Sequence, residues 1–163
     1  DILDTITVQI GENETGEELF ERLSVISADL MIETLKKLEK GEITPKKQGD
    51  GASYAPIIKK EMARLDFNKT AKEIHNAVRG YYSWPCAYLF LSGKRVKVIT
   101  ANVGGNTNQQ AGTVVGNNGV LSIACGDGTA LDILVLQAEG SKVMEAKQYL
   151  CGKQIPLGTV VGE

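Results

Sequence analysis

The sequence contains very little histidine and cysteine, and this scarcity limits its chemistry. Of 163 residues, one is histidine (His75) and three are cysteine. A single imidazole excludes a two-histidine metal site and leaves a serine triad without a spare base. Three cysteines are an odd number and none forms a Cys-x-x-Cys pair. We therefore expect no disulfide framework, no structural zinc site and a reducing compartment.

Proline, long apolar runs and an initiating methionine are also lacking. Four prolines exclude a collagen-like chain, and no run of 18 apolar residues could span a membrane. Charged residues make up 23% and hydrophobic residues 42% of the chain, which fits a soluble globular protein. The chain begins at Asp1 in a strand-like stretch without a signal peptide, so we expect a fragment of a longer protein.

The net charge of -2 conceals an asymmetry along the chain. Residues 1–43 carry 11 acidic and 4 basic side chains, whereas residues 44–163 carry 9 acidic and 14 basic side chains. Such a division indicates two parts with different partners. The basic part is a candidate for nucleic-acid binding, although a charge of this size is also common on proteins that bind none.

The first part is predicted to form one strand and one long helix. Ile6, Val8 and Ile10 alternate with polar residues, as in a half-buried strand. Thr15-Gly-Glu-Glu18 is typical of a capping box, and apolar residues at helical spacing continue for roughly 24 residues until Gly41. One strand and one helix cannot bury a core alone, so we expect this segment to dock on something larger.

The middle of the chain is predicted to be a linker followed by a short helix. Residues 44–66 show no sustained period and contain glycines, prolines and two lysine pairs. Asn68 or Thr70 can cap the helix, which Gly80 ends. His75 lies on this helix without a catalytic partner at a useful spacing, so we expect a surface or half-buried residue.

The remainder of the chain has a β pattern. Asn117-Asn118-Gly119 and Gly126-Asp127-Gly128 are typical turns. We expect a short helix over 144–150, an edge strand over 155–161, and five short strands over 87–91, 94–103, 112–116, 120–125 and 129–136. The predicted fold class is therefore mixed α and β. It comprises a small closed β-barrel of the oligonucleotide-binding (OB) type with short helices, preceded by a strand and a long helix.

No motif indicates a complete catalytic site. Gly104-Gly105 and Gly126-Asp127-Gly128 lack the Gly-Lys-Ser or Gly-Lys-Thr and the helix that a phosphate loop requires, so both are expected to be turns. The acidic residues lie mostly on the first helix, and no nucleophile is paired with a base. We expect no self-sufficient catalyst.

A basic strand is the strongest candidate for a binding surface. In a strand, Arg95 and Lys97 share one face while Val96 and Val98 share the other. We expect the valines in the core and the cations exposed, with Lys94 in the preceding turn. Cations on such a surface attract phosphates, but they also serve as ordinary solvated charge. Tyr88 and Phe90 share a strand face and could stack on bases, or simply pack.

Several short motifs resemble those of the methionyl-tRNA formyltransferase family in order and spacing. The chain has Ser83-Trp84-Pro85-Cys86-Ala87 where the family has a Pro-Trp-Pro-x-Ala run, and a Gly-Lys-Arg strand follows in both. Further similar segments are Tyr54–Pro56, Arg64–Phe67, Ala111–Thr113, Cys125–Gly128, Leu136–Gln137 and Lys142–Gly152. Departures at Tyr81–Ser83 and Gly49–Gly51 leave the subfamily open.

The resemblance implies a catalytic N-terminal domain and a C-terminal OB domain. In the family, a Rossmann-like domain holds 10-formyltetrahydrofolate, and the formyl group goes to the methionine amino group of initiator tRNA. Its catalytic Asn, His and Asp lie in that domain. Asp1-Ile2-Leu3 resembles the end of the family's Gly-Leu-Asp-Thr-Gly-Asp run, three residues after the catalytic aspartate. The resemblance therefore implies no catalytic residue and no cofactor site in this chain, a missing N-terminal domain and a cytoplasmic location.

On this resemblance the chain divides into three parts. Residues 1–43 are expected to be the end of the Rossmann-like catalytic domain, 44–66 the linker and 67–163 the OB-like domain. We expect tRNA to contact Lys59, Lys60, Lys94, Arg95, Lys97 and Lys142. We expect no metal site and no membrane contact. Two alternatives stay open: the equivalent part of a sugar-nucleotide formyltransferase or formyltetrahydrofolate hydrolase, and a free-standing OB module.

Overall fold

A computed structural model of the protein describes residues 1–162 and divides the chain into two compact units. The first extends from Asp1 to Ile57 and the second begins at Ile58. None of the helices in the described residues has both the length and the apolar character that a membrane span requires.

The first unit contains the long helix α1, Gly16–Glu39, whose 24 residues match the expected length. Its N-terminus is fixed by the predicted capping box, because the Glu18 amide donates to the Thr15 hydroxyl at 3.2 Å. In return, the Thr15 amide donates to the Glu18 carboxylate at 2.9 Å. After the helix, Gly41 has a φ of +71°, a conformation that glycine adopts without strain.

The apolar side of the first unit is largely uncovered. Within α1 the one buried residue is Thr34, whereas Phe20 is 75% exposed. The strand expected near the start is wrong, since residues 1–10 form a single β-bridge between Ile2 and Lys46. Ile6 and Ile10 are exposed. A β-strand is stable only when its backbone amides and carbonyls hydrogen-bond to a neighbouring strand, and residues 1–10 have no such neighbour beyond this bridge.

The second unit is a curled antiparallel sheet with short helices. A 3-10 helix at Lys60–Ala63 precedes α2, Ala71–Gly80, and α3 closes the set at Ala146–Gly152. The strands are β1 Tyr88–Leu91, β2 Lys94–Asn106, β3 Val114–Gly116, β4 Leu121–Ala124, β5 Thr129–Ala138 and β6 Met144–Glu145. They pair in the order β1-β2-β5-β4-β3, and β6 pairs with β5.

The core of the second unit lies between one face of this sheet and α2. Val96 and Val98 are 0% and 1% exposed, which confirms the predicted register of β2. Thr70 and Glu73 form the predicted capping box of α2. The helix contributes Ile74 and Val78 to the same core, alongside Leu89, Leu91, Leu121, Ile123, Leu131, Ile133 and Leu136.

Three local expectations in this unit are wrong. His75 is buried at 7% exposure, because it lies on the side of α2 that packs inward. Gly104 and Gly105 lie within β2 and not in a turn. A Cβ at Gly104 would lie 2.7 Å from the Asp132 carboxylate on β5, so the lack of a side chain permits the pairing. The expected edge strand over 155–161 is limited to one bridge, Thr113 to Val160.

Candidate nucleic-acid interface

The hairpin of β1 and β2 places aromatic and cationic side chains on one face. Tyr88 pairs with Lys97, and Phe90 pairs with Arg95. Because successive side chains in a strand point to opposite faces, these four lie opposite the buried Val96 and Val98. The sequence pattern therefore gives the hairpin one core face and one functional candidate face.

On that face, two arginines and two aromatic rings form a continuous row, which we name the cation–aromatic row. The Arg95 guanidinium lies 3.9 Å from the centre of the Tyr88 ring. Tyr88 and Phe90 meet edge to face with ring centres 5.9 Å apart, and the Arg64 guanidinium lies 5.4 Å from the centre of the Phe90 ring. Contacts of this kind are attractive because the ring face carries partial negative charge.

Two grooves flank this row. The first groove, of about 370 Å³, is lined by Arg64 and Phe90 together with Leu65–Asn68, Leu89, Ala111, Gly112, Val161 and Gly162. Here the Arg64 guanidinium also donates to the carbonyl oxygen of Gly162 at 3.1 Å. The second groove, of about 260 Å³, is lined by Arg95, Lys97, Gln137, Ala138, Glu139 and Gly140.

Arg95 and Lys97 are half-buried, which corrects the expectation that both are exposed. Arg95 is covered on one side because it lies against Tyr88. Among residues 1–162 neither cation forms an ion pair. Their charge acts on a neighbouring thiol: burial raises the pKa of Cys86, and Lys97 and Arg95 oppose part of that rise. The surface therefore retains its positive charge.

The other predicted cations lie around these grooves at exposed positions. Lys94 occupies the first position of β2, and Lys142 follows the turn after β5. That turn is tied to the second groove, because the Gln137 side chain donates to the carbonyl oxygen of Ser141 at 3.0 Å. Lys59 and Lys60 open the 3-10 helix whose end leads into Arg64.

Sequence reasoning omitted Arg64 from the candidate site. Its position depends on a parallel bridge to Tyr88 and on the hydrogen bond from the Leu65 amide to the Tyr88 carbonyl at 2.8 Å. This contact joins the chain before α2 to β1, so no local pattern predicts it. The similarity of the Arg64–Phe67 segment to the family motif was the available signal.

The described residues offer little for covalent or metal catalysis. No group of three or more His, Cys, Asp or Glu side chains in residues 1–162 is placed to hold a metal ion. Burial raises the pKa of the Cys125 thiol to about 12, and Asp127 adds to the rise. A thiol with that pKa supplies almost no thiolate at neutral pH. His75 lies on the core side of α2 and lines neither groove.

Comparisons with known proteins give a consistent result. The family model described as "Formyl transferase, C-terminal domain" matches residues 57–154. The methionyl-tRNA formyltransferase of Thermodesulfovibrio yellowstonii is 41% identical over 151 residues, covering 93% of this chain and 48% of that protein. The enzyme of the same name from Caldanaerobacter subterraneus is 39% identical over 163 residues, covering 99% of this chain and 52% of that protein.

The chain thus spans about half the length of the curated relatives it matches. Among solved structures, HypX from Aquifex aeolicus in complex with tetrahydrofolic acid is similar, with a TM-score of 0.54 and 22% identity. The match covers 75% of this chain and 22% of HypX. At that identity the similarity shows a common fold.

Proposed function

The chain belongs to the formyl transferase C-terminal domain family, and we propose that it is the tRNA-binding part of a methionyl-tRNA formyltransferase. In the full-length enzyme, the formyl group of 10-formyltetrahydrofolate would pass to the amino group of methionyl initiator tRNA. The observation that carries this proposal is the identity of about 40% to proteins of that name over nearly the whole chain. The proposed location is cytoplasmic, where initiator tRNA is used.

The electrostatics of the second unit support a nucleic-acid partner. Residues 58–163 contain 12 basic and 8 acidic side chains. The half-buried cations Arg95 and Lys97 have no carboxylate partner among residues 1–162 and adjoin the cation–aromatic row. Phosphates are attracted to such unpaired cations by charge and by the release of condensed counterions. We propose that Lys59, Lys60, Lys94, Arg95, Lys97 and Lys142 contact the tRNA backbone, with Arg64 added from the structure.

We propose the domain limits on the same basis. Residues 67–163 would form an OB-like barrel, for which the five-stranded path of the curled sheet is the support. Residues 44–66 would be the linker, whose last residues, from Ile58 onward, pack as part of the second unit. Residues 1–43 would be the end of a Rossmann-like catalytic domain. The uncovered apolar residues of α1, including Phe20 and Val25, support this, since such residues normally pack against a larger core.

Formyl-donor binding and catalysis would take place in the half of the relatives that this chain does not match. In this chain the single imidazole lies in the core of the second unit and lines neither groove beside the cation–aromatic row. The chain's own contribution would be to bind and orient the acceptor. Positioning of this kind lowers a reaction barrier because it removes translational and rotational freedom in advance.

Binding of an initiator tRNA transcript across a salt series tests the proposal. The logarithm of affinity should fall linearly with the logarithm of salt concentration, with a slope of roughly 0.9 for each phosphate neutralised on duplex RNA-like segments. Replacing Arg95 and Lys97 together by Ala should weaken binding and reduce the slope. Affinity that does not change with salt would refute the tRNA role.

A charge-matched control is available on α3. Lys147→Ala with Lys153→Ala removes the same number of cations, and Lys153 also lies near a tyrosine, 5.5 Å from the centre of the Tyr149 ring. This control should change the salt slope by less than the Arg95 and Lys97 double variant. Equal effects would show that net charge alone governs binding.

A further inference from the structure

The geometry points to a preformed phosphodiester site in the second groove, in which Arg95 and Lys97 bind one phosphate of an RNA backbone. Tyr88 holds the guanidinium plane in this site. The inference rests on the proposed function. It adds one defined contact, whereas the proposed lysines outside this groove are exposed side chains.

The Arg95 guanidinium is held before any ligand arrives. Its carbon lies 3.9 Å from the centre of the Tyr88 ring, a distance at which the two planar groups are in contact. Tyr88 is itself buried and packs nearly perpendicular to the Phe90 ring. A guanidinium restrained in this way loses less conformational freedom when its fork binds an anion.

Arg95 also has donors to spare. Its Nε is buried and has no hydrogen-bond partner among residues 1–162. A guanidinium carries five N–H donors, and an unsatisfied buried donor is unfavourable. The terminal Nη groups supply the remaining four N–H donors, and two oxygens of a phosphate in the groove would accept parallel hydrogen bonds from them.

The charge around the groove matches one singly charged group. Arg95 and Lys97 contribute two positive charges, and Glu139, which also lines the groove, contributes one negative charge. The resulting charge of +1 suits a phosphodiester, which is a monoanion.

Nuclear magnetic resonance of the arginine Nε–Hε groups in the whole chain tests the site directly. The Arg95 signal is assigned by its loss in Arg95→Lys. Titration with the dinucleoside monophosphate UpU should shift this signal, whereas uridine should leave it unchanged. Inorganic phosphate, which offers the same anionic oxygens, should shift it in the same direction. An Arg95 signal that does not respond to UpU would overturn the inference, as would an equal response to uridine.

The same site predicts a specific effect on tRNA affinity. Arg95→Lys keeps the charge but loses the planar fork, so affinity should fall about fivefold to tenfold while the salt slope stays unchanged. Tyr88→Leu should weaken binding in the same way, and Tyr88→Phe, which keeps the ring, should bind like the parent. If Arg95→Lys binds tRNA with the affinity of the parent, the contact from the planar guanidinium is refuted.

These outcomes separate the inference from the proposed function. If tRNA binds in a salt-sensitive manner but Arg95→Lys binds like the parent, the phosphodiester site is wrong and the tRNA role stands. If tRNA does not bind but UpU shifts the Arg95 signal, the site stands and the tRNA role is wrong. Thermal unfolding of each variant shows whether the fold is retained.

Discussion

Asp127 joins the turn between β4 and β5 to the start of α2, because its Oδ2 accepts a hydrogen bond from the Ala71 amide at 3.3 Å. Its Oδ1 accepts from the Thr129 hydroxyl at 2.6 Å. These hydrogen bonds hold the pKa of the Asp127 carboxyl below its ordinary value of 3.8, and the bond from the Thr129 hydroxyl has the largest effect. The ionised carboxylate therefore stabilises the folded state.

The sign of this effect predicts a pH dependence. A carboxyl whose pKa is lowered by folding stabilises the protein above its unfolded pKa, and the benefit is lost as pH falls through the folded value. We expect Asp127→Ala to melt at a lower temperature than the parent at neutral pH. The difference should shrink as the pH falls below 3.8. A difference in melting temperature that stays constant down to strong acid would contradict this role.

Val98 and Val103 on β2 offer a matched test of the core. Val98 is 1% exposed and Val103 is 45% exposed. Val98→Ala should lower the free energy of unfolding by about 1–3 kcal/mol through lost burial and a residual cavity. Val103→Ala should change it by no more than about 0.5 kcal/mol. Urea denaturation of both variants measures the difference, and equal values would refute the assigned core face.

Local signals account for the parts of the fold that the sequence predicts well. The bounds of α1 follow from the Thr15 capping box and the glycine stop, and the inward valines of β2 follow from strict alternation. The expected strand at residues 1–10 failed because a strand exists only with a partner, which no local pattern identifies. Gly104 and Gly105 resemble a turn, yet both lie in β2, where the lack of a side chain on Gly104 permits the close approach of Asp132.

Gly126 predicts a second stability effect. A Cβ on this residue would overlap the backbone carbonyl of Asn68, while its amide donates to the Lys69 carbonyl at 2.9 Å. Gly126→Ala should therefore lower the free energy of unfolding by more than about 1 kcal/mol, since backbone must move. Gly105 has no atom within 4 Å of its Cβ position. Gly105→Ala should be within about 0.5 kcal/mol of the parent. Similar values for both variants would contradict the close approach.

The three cysteines should differ in reactivity. Cys151 is exposed, whereas Cys86 and Cys125 are buried with raised pKa values. Because the thiolate is the nucleophile, a thiol-specific reagent should modify one residue per folded chain and three in denaturant. Mass spectrometry should place the single adduct on Cys151, and Cys151→Ser should abolish it. Rapid labelling of Cys125 in the folded protein would contradict its burial.

The isolated chain is predicted to transfer no formyl group. We expect no formylation of methionyl initiator tRNA when 10-formyltetrahydrofolate is supplied, because the resemblance places the catalytic residues outside this sequence. Acid-gel analysis of the charged tRNA measures the product, and a full-length relative serves as the positive control. Turnover comparable to that control would refute the prediction.

The candidate site was predictable in its charges but not in its geometry. Arg95 and Lys97 follow from strand alternation, and the glycine-containing turn before them limits the hairpin register. The guanidinium over Tyr88 depends on a contact across two strands, and Arg64 reaches the same row through a bridge from a separate segment. Contacts between residues so far apart in the chain cannot be predicted from the spacing of residues in the sequence.

The pairing of β2 with β5 also constrains the order of events during synthesis. The hairpin of β1 and β2 can form as soon as its own residues leave the ribosome. Val96, however, pairs with Ala138, and the Ala71 amide donates to the Asp127 carboxylate. Each contact can form only after its later residue has emerged. The sheet therefore stays incomplete along β2 until β5 has emerged. Because closure depends on contacts so distant along the chain, we expect the second unit to fold more slowly than a helical bundle of the same length.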